Sequence, residues 1–137
     1  MSKISIFKPR RVESRFLKLK KELDKYITID EKTKNLIVKP PKDTWFGEGE
    51  YNIILKYYSN YVINVIGDVF LDALGDGTTT KLSFKFGEVT GYFSCENNPC
   101  LKSTINFPEK VRAVYLLNTL LKQDDVKVKC NTEFVNY

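Results

Sequence analysis

The chain has 137 residues, of which 42% are hydrophobic and 13% aromatic, and its formal net charge is +5 at pH 7. This length suits one domain over residues 1–137, and the apolar content excludes a chain that stays disordered for lack of a core. Histidine is absent, which removes the commonest general base and the commonest metal ligand.

Apolar segments and cysteines indicate the compartment. No segment approaches the roughly 20 apolar residues of a membrane span, and the basic start lacks the apolar run of a secretory signal. The three cysteines, Cys95, Cys100 and Cys130, are an odd number, and no pair has the two-residue gap of a zinc knuckle. We therefore expect a soluble intracellular protein with reduced thiols, no cofactor, no bound metal and no membrane contact.

Residues 1–27 form a basic segment that predicts an amphipathic helix, with nine lysines and arginines against three acids. Residues 28–137, the predicted β-rich body, are nearly neutral. Apolar residues of the segment recur at helical spacing and would form one stripe that packs on the body. The stripe consists of Val12, Phe16, Leu19, Leu23, Tyr26 and Ile27. The basic face opposite is either a solvated surface or a contact for an anionic partner.

Short strands follow the helix. Residues 26–29 and 36–39 predict a hairpin, because β-branched and aromatic residues flank the polar turn at 30–35. Two prolines and two glycines then mark an irregular connection that contains Trp45 and Phe46. These two aromatic residues either cap a core or form a contact surface.

The density of β-branched and aromatic residues rises from residue 51. Residues 51–58 and 61–74 predict two consecutive strands, the second interrupted at Gly67. Residues 81–86 alternate between polar and apolar side chains, so Leu82 and its apolar neighbours should face a core. These segments predict a mainly antiparallel sheet.

Two structures fit residues 106–122. Asn106 is a suitable helix cap, and Val111, Val114 and Leu121 recur at helical spacing, which predicts a C-terminal helix. The alternative is a further strand of a repeat. Residues 126–130 alternate in polarity and predict a short strand.

Self-comparison of the chain reveals one organised signal. Residues 65–71 and 89–95 match in pattern 24 residues apart, and residues 111–117 are a weaker copy 22 residues further on. Spacings of 20–29 residues are typical of leucine-rich repeats, in which each unit adds one strand to a stack.

The best unit reads Val89-Thr-Gly-Tyr-Phe-Ser-Cys-Glu-Asn-Asn98, then Leu101-Lys-Ser-Thr104, then Pro108-Glu-Lys-Val111. Over about residues 65–117 the sequence resembles the degenerate leucine-rich-repeat-like proteins of tailed bacteriophages and bacteria. The resemblance implies a phage or bacterial source, a binding role and no catalytic residues. It also implies structural positions: Gly91 for a close backbone approach, Asn97 and Asn98 for a turn, and Phe93 and Cys95 for the core.

We therefore predict an α+β domain with an N-terminal amphipathic helix, a mainly antiparallel sheet with remnant leucine-rich-repeat-like units, and a C-terminal helix. The predicted function is a phage-encoded, non-enzymatic protein-interaction module, acting in the virion or on a host protein in the host cytoplasm. The alternative is a small basic nucleic-acid-binding protein, whose cations contact phosphates while aromatic rings stack on bases. The candidate partner-binding residues are Arg10, Arg11, Arg15, Lys18, Trp45, Phe46, Tyr57 and Tyr58.

Overall fold

The computed structural model describes residues 15–136, which fold into three helices and a seven-stranded sheet. Residues 15–24 form helix α1. It is followed by β1 (Ile27–Asp30), β2 (Asn35–Val38), α2 (Glu48–Tyr57), β3 (Val62–Val65) and β4 (Val69–Phe70). The remaining elements are β5 (Phe86–Ser94), β6 (Lys110–Tyr115), α3 (Gln123–Lys129) and β7 (Phe134–Asn136).

The sheet is mixed but mostly parallel. Its order is β1-β2-β3-β5-β6-β7, with β4 beside β5. Only the predicted hairpin, β1 with β2, is antiparallel, and every other pairing is parallel. The prediction of a mainly antiparallel sheet was therefore wrong. After β2 the connections between neighbouring parallel strands are long rather than tight turns, so they return the chain to the same end of the sheet before the next strand begins.

β3 and β4 are two parts of one strand path, interrupted where the sequence predicted. Both pair with β5, through Val65 with Val89 and through Val69 with Phe93. Gly67 lies between them with φ +137°, in the region that favours glycine. The matched segments 65–71 and 89–95 thus lie side by side.

The parallel strands stack in a solenoid-like manner. Val89 pairs with Val65 and Val111, and Val114 pairs with Val135, so paired residues from β3 to β7 lie 21–24 residues apart along the chain, against 27 for β2 and β3. A register shift between Val89 and Tyr92 accommodates the unequal spacing. Stacking alone does not identify a repeat family, and the leucine-rich-repeat-like assignment stays a prediction.

Polar side chains connect adjacent layers of the stack at a constant offset. Asn64 Oδ1 accepts a hydrogen bond from the Glu88 N–H at 2.9 Å. Asp68 Oδ1 accepts from the Tyr92 N–H at 2.8 Å, and Asp72 Oδ1 accepts from the Glu96 N–H at 2.9 Å. Each donor lies 24 residues after its acceptor. These bonds satisfy backbone donors that parallel pairing leaves free at the interrupted strand.

One face of the sheet lies in the core. The side chains of Leu82, Phe84, Phe93 and Cys95 are buried, which confirms the predicted core positions. The Phe93 ring contacts Phe86 and Phe107 with ring centroids 5.1 Å apart in both cases. Residues 81–85 bury alternate side chains as predicted, although they form no strand.

Residues 48–57 are helical, although residues 51–58 predicted a strand. The Glu50 carboxylate accepts a hydrogen bond from the Gly47 N–H at 2.7 Å, which satisfies a free donor at the start of α2. Tyr51 and Ile54 are buried one turn apart. The aromatic and β-branched residues of this segment therefore pack into the core from a helix and do not pair as a strand.

Two further predictions near the end of the chain were wrong. Residues 110–115 form strand β6, so the alternative of a further strand holds there and the helix over 106–122 does not. The helix lies instead at 123–129, where the sequence predicted a strand. Val126 and Cys130 are buried four residues apart, whereas Val128 is 89% exposed, which is helical rather than alternating burial.

Helix α1 packs on the body, but not through the whole predicted stripe. Phe16 and Leu23 contact the core, whereas Leu19 is 45% exposed. Lys20 takes the position between them, with its ammonium 2.7 Å from Asp24 and above the rings of Tyr57 and Tyr58. Tyr26 and Ile27 lie beyond the end of the helix, and Val12 is outside the described residues.

Candidate functional site

The second face of the sheet carries exposed apolar side chains. Ile37, Ile66, Tyr92 and Phe134 have 37–53% of their surface exposed, and each lies next to a buried residue on its strand or strand end. Because side chains alternate along strands, these residues point away from the core. We call this outward side of the sheet the open face. Its residues come from strands that are adjacent in the sheet.

Three aromatic side chains on β5, β6 and β7 form a contiguous group on the open face. The rings of Tyr92 and Tyr115 are 5.6 Å apart, and those of Tyr115 and Phe134 are 6.1 Å apart, with steep interplanar angles. We call Tyr92, Tyr115 and Phe134 the aromatic cluster. The Arg112 guanidinium lies 5.7 Å from the centroid of the Tyr92 ring. Edge-to-face rings beside an arginine are typical of the centres of protein interfaces.

A groove of about 540 Å³ occupies the other end of the open face. Ile37 and Ile66 contribute apolar surface to it, and Asn64 and Thr90 contribute hydrogen-bonding groups. Asp30 also lines the groove, and hydrogen bonds from Thr33 lower the pKa of its carboxyl group. The groove therefore combines isoleucine side chains with an ionised carboxylate at neutral pH.

A cleft of about 460 Å³ lies between the groove and Arg112. It shares Glu88 and Thr90 with the groove, and Arg112 with the surroundings of the cluster. Lys110 and Glu133 also line it. The open face is thus continuous from β2 to β7, with charges of both signs near its centre.

The predicted basic contact residues lie on α1 or beyond the described part of the chain. Arg15 and Lys18 are exposed on α1, whereas Arg10 and Arg11 are outside the described residues. The side chain of Trp45 is 55% exposed and packs edge-on against Phe70, with centroids 5.0 Å apart. Trp45 thus remains accessible for a contact.

The other predicted aromatic contacts are less accessible. Phe46 is only 7% exposed, so it packs in the core rather than at a contact surface. Tyr57 and Tyr58 are half-buried beneath Lys20 of α1. The Tyr58 hydroxyl donates a hydrogen bond to Asp24 at 2.9 Å, and burial together with this bond raises the pKa of Tyr58. Both tyrosines join the helix to the body.

Sequence reasoning missed the aromatic cluster entirely. The alternation of Glu88, Thr90 and Tyr92 around buried Val89 was a usable signal, but most aromatic residues in this half of the chain were expected to be buried because they alternate with polar residues. Tyr115 was not recognised as an outward residue of a strand, because it lies within the helix predicted over residues 106–122. Phe134 lies in a three-residue strand, which is too short to show a period.

Other chemistry in the structure is limited to isolated groups. Across residues 15–136 no three histidine, cysteine or acidic side chains form a group that could hold a metal ion. Cys95 and Cys130 are buried, and burial raises the pKa of Cys130 to about 11 and that of Cys95 well above its ordinary value. No helix in the described range is long and apolar enough to cross a membrane.

No protein-family model matches the chain, and neither the curated proteins nor the solved structures contain a match to it. The function therefore has to be inferred from the geometry and chemistry of the open face.

Proposed function

We propose that this chain is a non-enzymatic protein-interaction module that binds its partner through the open face. Support comes chiefly from the aromatic cluster, where three rings and an arginine lie together on the outward side of β5, β6 and β7. A contiguous apolar patch with a polar rim is typical of protein interfaces. The groove at Ile37 and Ile66 extends this surface across the sheet.

Charge favours a protein partner over a nucleic acid. The open face carries Lys110 and Arg112, but Glu88, Glu133 and Asp30 offset them. Nucleic-acid binding without base readout requires a clear excess of cations that neutralise phosphates. The rings of the cluster also meet edge to face, so they do not form the parallel platforms on which bases stack.

We also propose, from the sequence resemblance of residues 65–117, that the chain is phage-encoded. Its partner would then be either another virion protein or a host protein. The genes beside it distinguish these cases, because capsid and tail genes favour a virion component and early genes favour a host-directed factor.

A photocrosslinking residue placed at Phe134 tests the proposed function. The full-length variant is expressed in the cells that naturally contain the protein, irradiated, and analysed by mass spectrometry. We expect a protein adduct of defined mass, because Phe134 is 53% exposed within the aromatic cluster. The matched control carries the same residue at Val128, which is 89% exposed on α3, away from the open face, and should give no such adduct. Absence of a protein adduct at Phe134 contradicts the proposal.

Titration with short DNA and RNA tests the nucleic-acid alternative. Salt of about 50 and 200 mM spans the range over which phosphate contacts lose most of their strength. We expect no sub-micromolar binding at 200 mM salt. Tight binding that persists there, and that weakens when Arg10, Arg11 and Arg15 are changed to glutamate, would replace the proposed function with the nucleic-acid alternative.

A further inference from the structure

We infer that the aromatic cluster and Arg112 bind an extended, apolar segment of the partner protein that carries a carboxylate opposite Arg112. The inference rests on the proposed function and specifies the chemistry of the partner.

Arg112 is held in place but has no acidic partner among residues 15–136. Its carbonyl oxygen accepts hydrogen bonds from the Glu133 N–H and from the Thr132 hydroxyl, both at 3.1 Å, which fixes the backbone beneath the side chain. Its guanidinium lies over Tyr92. Within residues 15–136 the ion pairs closer than 4.0 Å are limited to α1 and the turn after it, in the two pairs Lys20–Asp24 and Lys25–Glu22.

A carboxylate on the partner would complement this arrangement. Glu88 and Glu133 line the same cleft, yet neither lies within ion-pair distance of Arg112. The planar guanidinium can therefore offer two parallel N–H donors to an incoming carboxylate, a geometry that lysine cannot provide. Stacking on Tyr92 pre-organises the guanidinium and reduces the entropy lost on binding.

The exposed rings specify the apolar part of the segment. Tyr92 is 37% exposed and Phe134 is 53% exposed, so apolar side chains of a partner would displace water from both rings. Exclusion of water also strengthens the neighbouring charge pair, because the local dielectric constant falls. The apolar residues and the carboxylate should therefore lie close together in the partner sequence.

The cleft indicates an extended conformation of the segment. It is lined by residues 88–90 of β5, 110–112 of β6 and 131–133 before β7, and the aromatic cluster continues farther along the same strands. Outward side chains along each strand recur every second residue, about 7 Å apart. An extended chain lying along the cleft presents its own alternate side chains at the same interval, so it can match the aromatic cluster and Arg112 in succession.

A random dodecapeptide library displayed on bacterial cells tests the inference with the full-length protein as the target. We expect enriched peptides to contain aspartate or glutamate within two residues of aromatic or aliphatic side chains. A selected peptide is then synthesised and its affinity measured. Arg112→Glu should weaken its binding at least ~10-fold, since a desolvated charge pair becomes a repulsion. The control Lys127→Glu makes the same change in net charge on the exposed side of α3 and should alter the affinity less than ~2-fold.

A second selection against the Arg112→Glu variant should enrich lysine or arginine at the position of the acid. Phe134→Ser, which leaves Arg112 intact, should also lower the affinity for the selected peptide. Unchanged melting temperatures show that both variants are folded. Enriched peptides without an acid, no enrichment at all, or self-association that hides the cluster would each overturn the inference. A protein adduct from Phe134 alongside such a failure would leave the interaction module standing and remove only the acidic segment.

Discussion

At the scale of one residue, Tyr51 places a polar hydroxyl group inside the apolar core. Its ring is fully buried between Phe84 and Phe86, and its hydroxyl has no hydrogen-bond partner within residues 15–136. An unsatisfied buried hydroxyl costs about 1–3 kcal/mol. We predict that Tyr51→Phe raises the free energy of unfolding by about 1 kcal/mol, measured by denaturant titration.

Tyr58→Phe is the matched control, because it removes a hydroxyl that donates to Asp24 and should lower the free energy of unfolding by about 1 kcal/mol.

Alkaline pH gives a second measurement of the effect of the Tyr51 hydroxyl. Burial raises the pKa of Tyr51 above its ordinary value of 10.0, so its contribution to stability is complete below pH 10 and is lost as the pH rises further. The advantage of Tyr51→Phe should therefore grow above pH 10. A destabilised Tyr51→Phe variant would show that the hydroxyl is satisfied after all.

Gly91 marks a place where the backbones of two strands approach closely, as the family resemblance implied. A β-carbon at this position would collide with Asp68 Oδ1 and lie 2.8 Å from the Gly67 oxygen. We predict that Gly91→Ala lowers the free energy of unfolding by about 2 kcal/mol, within the range of overpacked sites. Gly49→Ala in α2 meets nothing within 4 Å and should instead be neutral or stabilising. Similar melting temperatures for the two variants would refute the close approach.

At the scale of structural elements, Asn98 connects two layers of the stack. Its amide donates to the carbonyl oxygens of Leu71 and Cys95 at 3.0 and 2.8 Å, and its oxygen accepts from the Leu74 N–H at 2.8 Å. The side chain is completely buried. The family resemblance implied a turn position for Asn98, whereas its principal role is to satisfy backbone groups 24–27 residues away.

We predict that Asn98→Ala lowers the free energy of unfolding by about 2–4 kcal/mol, because several buried backbone groups lose their partners at once. The control Asn52→Ala removes an exposed amide from α2 and should change it by less than ~0.5 kcal/mol. Thermal unfolding followed by circular dichroism distinguishes the two. An Asn98→Ala variant as stable as the control would mean that water replaces the amide without cost.

Prediction from sequence succeeded for elements whose signals are local. The hairpin of β1 and β2, the break at Gly67 and the alternating burial around Leu82 all follow from turn residues or period-two patterns. It failed for α2 and α3, and it left β6 open between helix and strand, because the apolar residues of these segments fit either structure. There the pairing partners decide: β6 is a strand because Val111 and Val114 meet Val89 and Phe93 of a strand 21–22 residues earlier.

Strand direction and the candidate site were less predictable for the same reason. The matched segments 65–71 and 89–95 indicated a stack, but a stack needs about three units for a continuous core, and the sequence shows one good unit and two weaker copies. Tyr92 and Phe93 are adjacent aromatic residues, and composition does not reveal which one faces solvent. The core position of Phe93 was predicted correctly, but the outward position of Tyr92 becomes evident only from the pairing of Phe93 with Val69 and Val114.

At the scale of the whole molecule, the two faces of the sheet differ in how much they contribute to stability. The buried face, with α2 and the loops packed against it, carries the apolar burial that stabilises the fold. The apolar residues of the open face remain partly exposed and therefore contribute less to stability. Residues of the open face can therefore vary without loss of the fold, as the proposed interaction surface would require.

Neighbouring residues on one strand test this division directly. Phe93→Ala should lower the free energy of unfolding by about 3–5 kcal/mol, as for other buried phenylalanines, since its ring is fully enclosed. Tyr92→Ala removes a ring of similar size from the open face and should cost about 1 kcal/mol or less, within the range of strand propensities. Tyr92→Ala should nevertheless lower the yield of the partner adduct that is crosslinked from Phe134, although the variant remains folded. If both alanine variants were equally destabilised, the open face would be part of the structural core, and the proposed interaction surface would lose its physical basis.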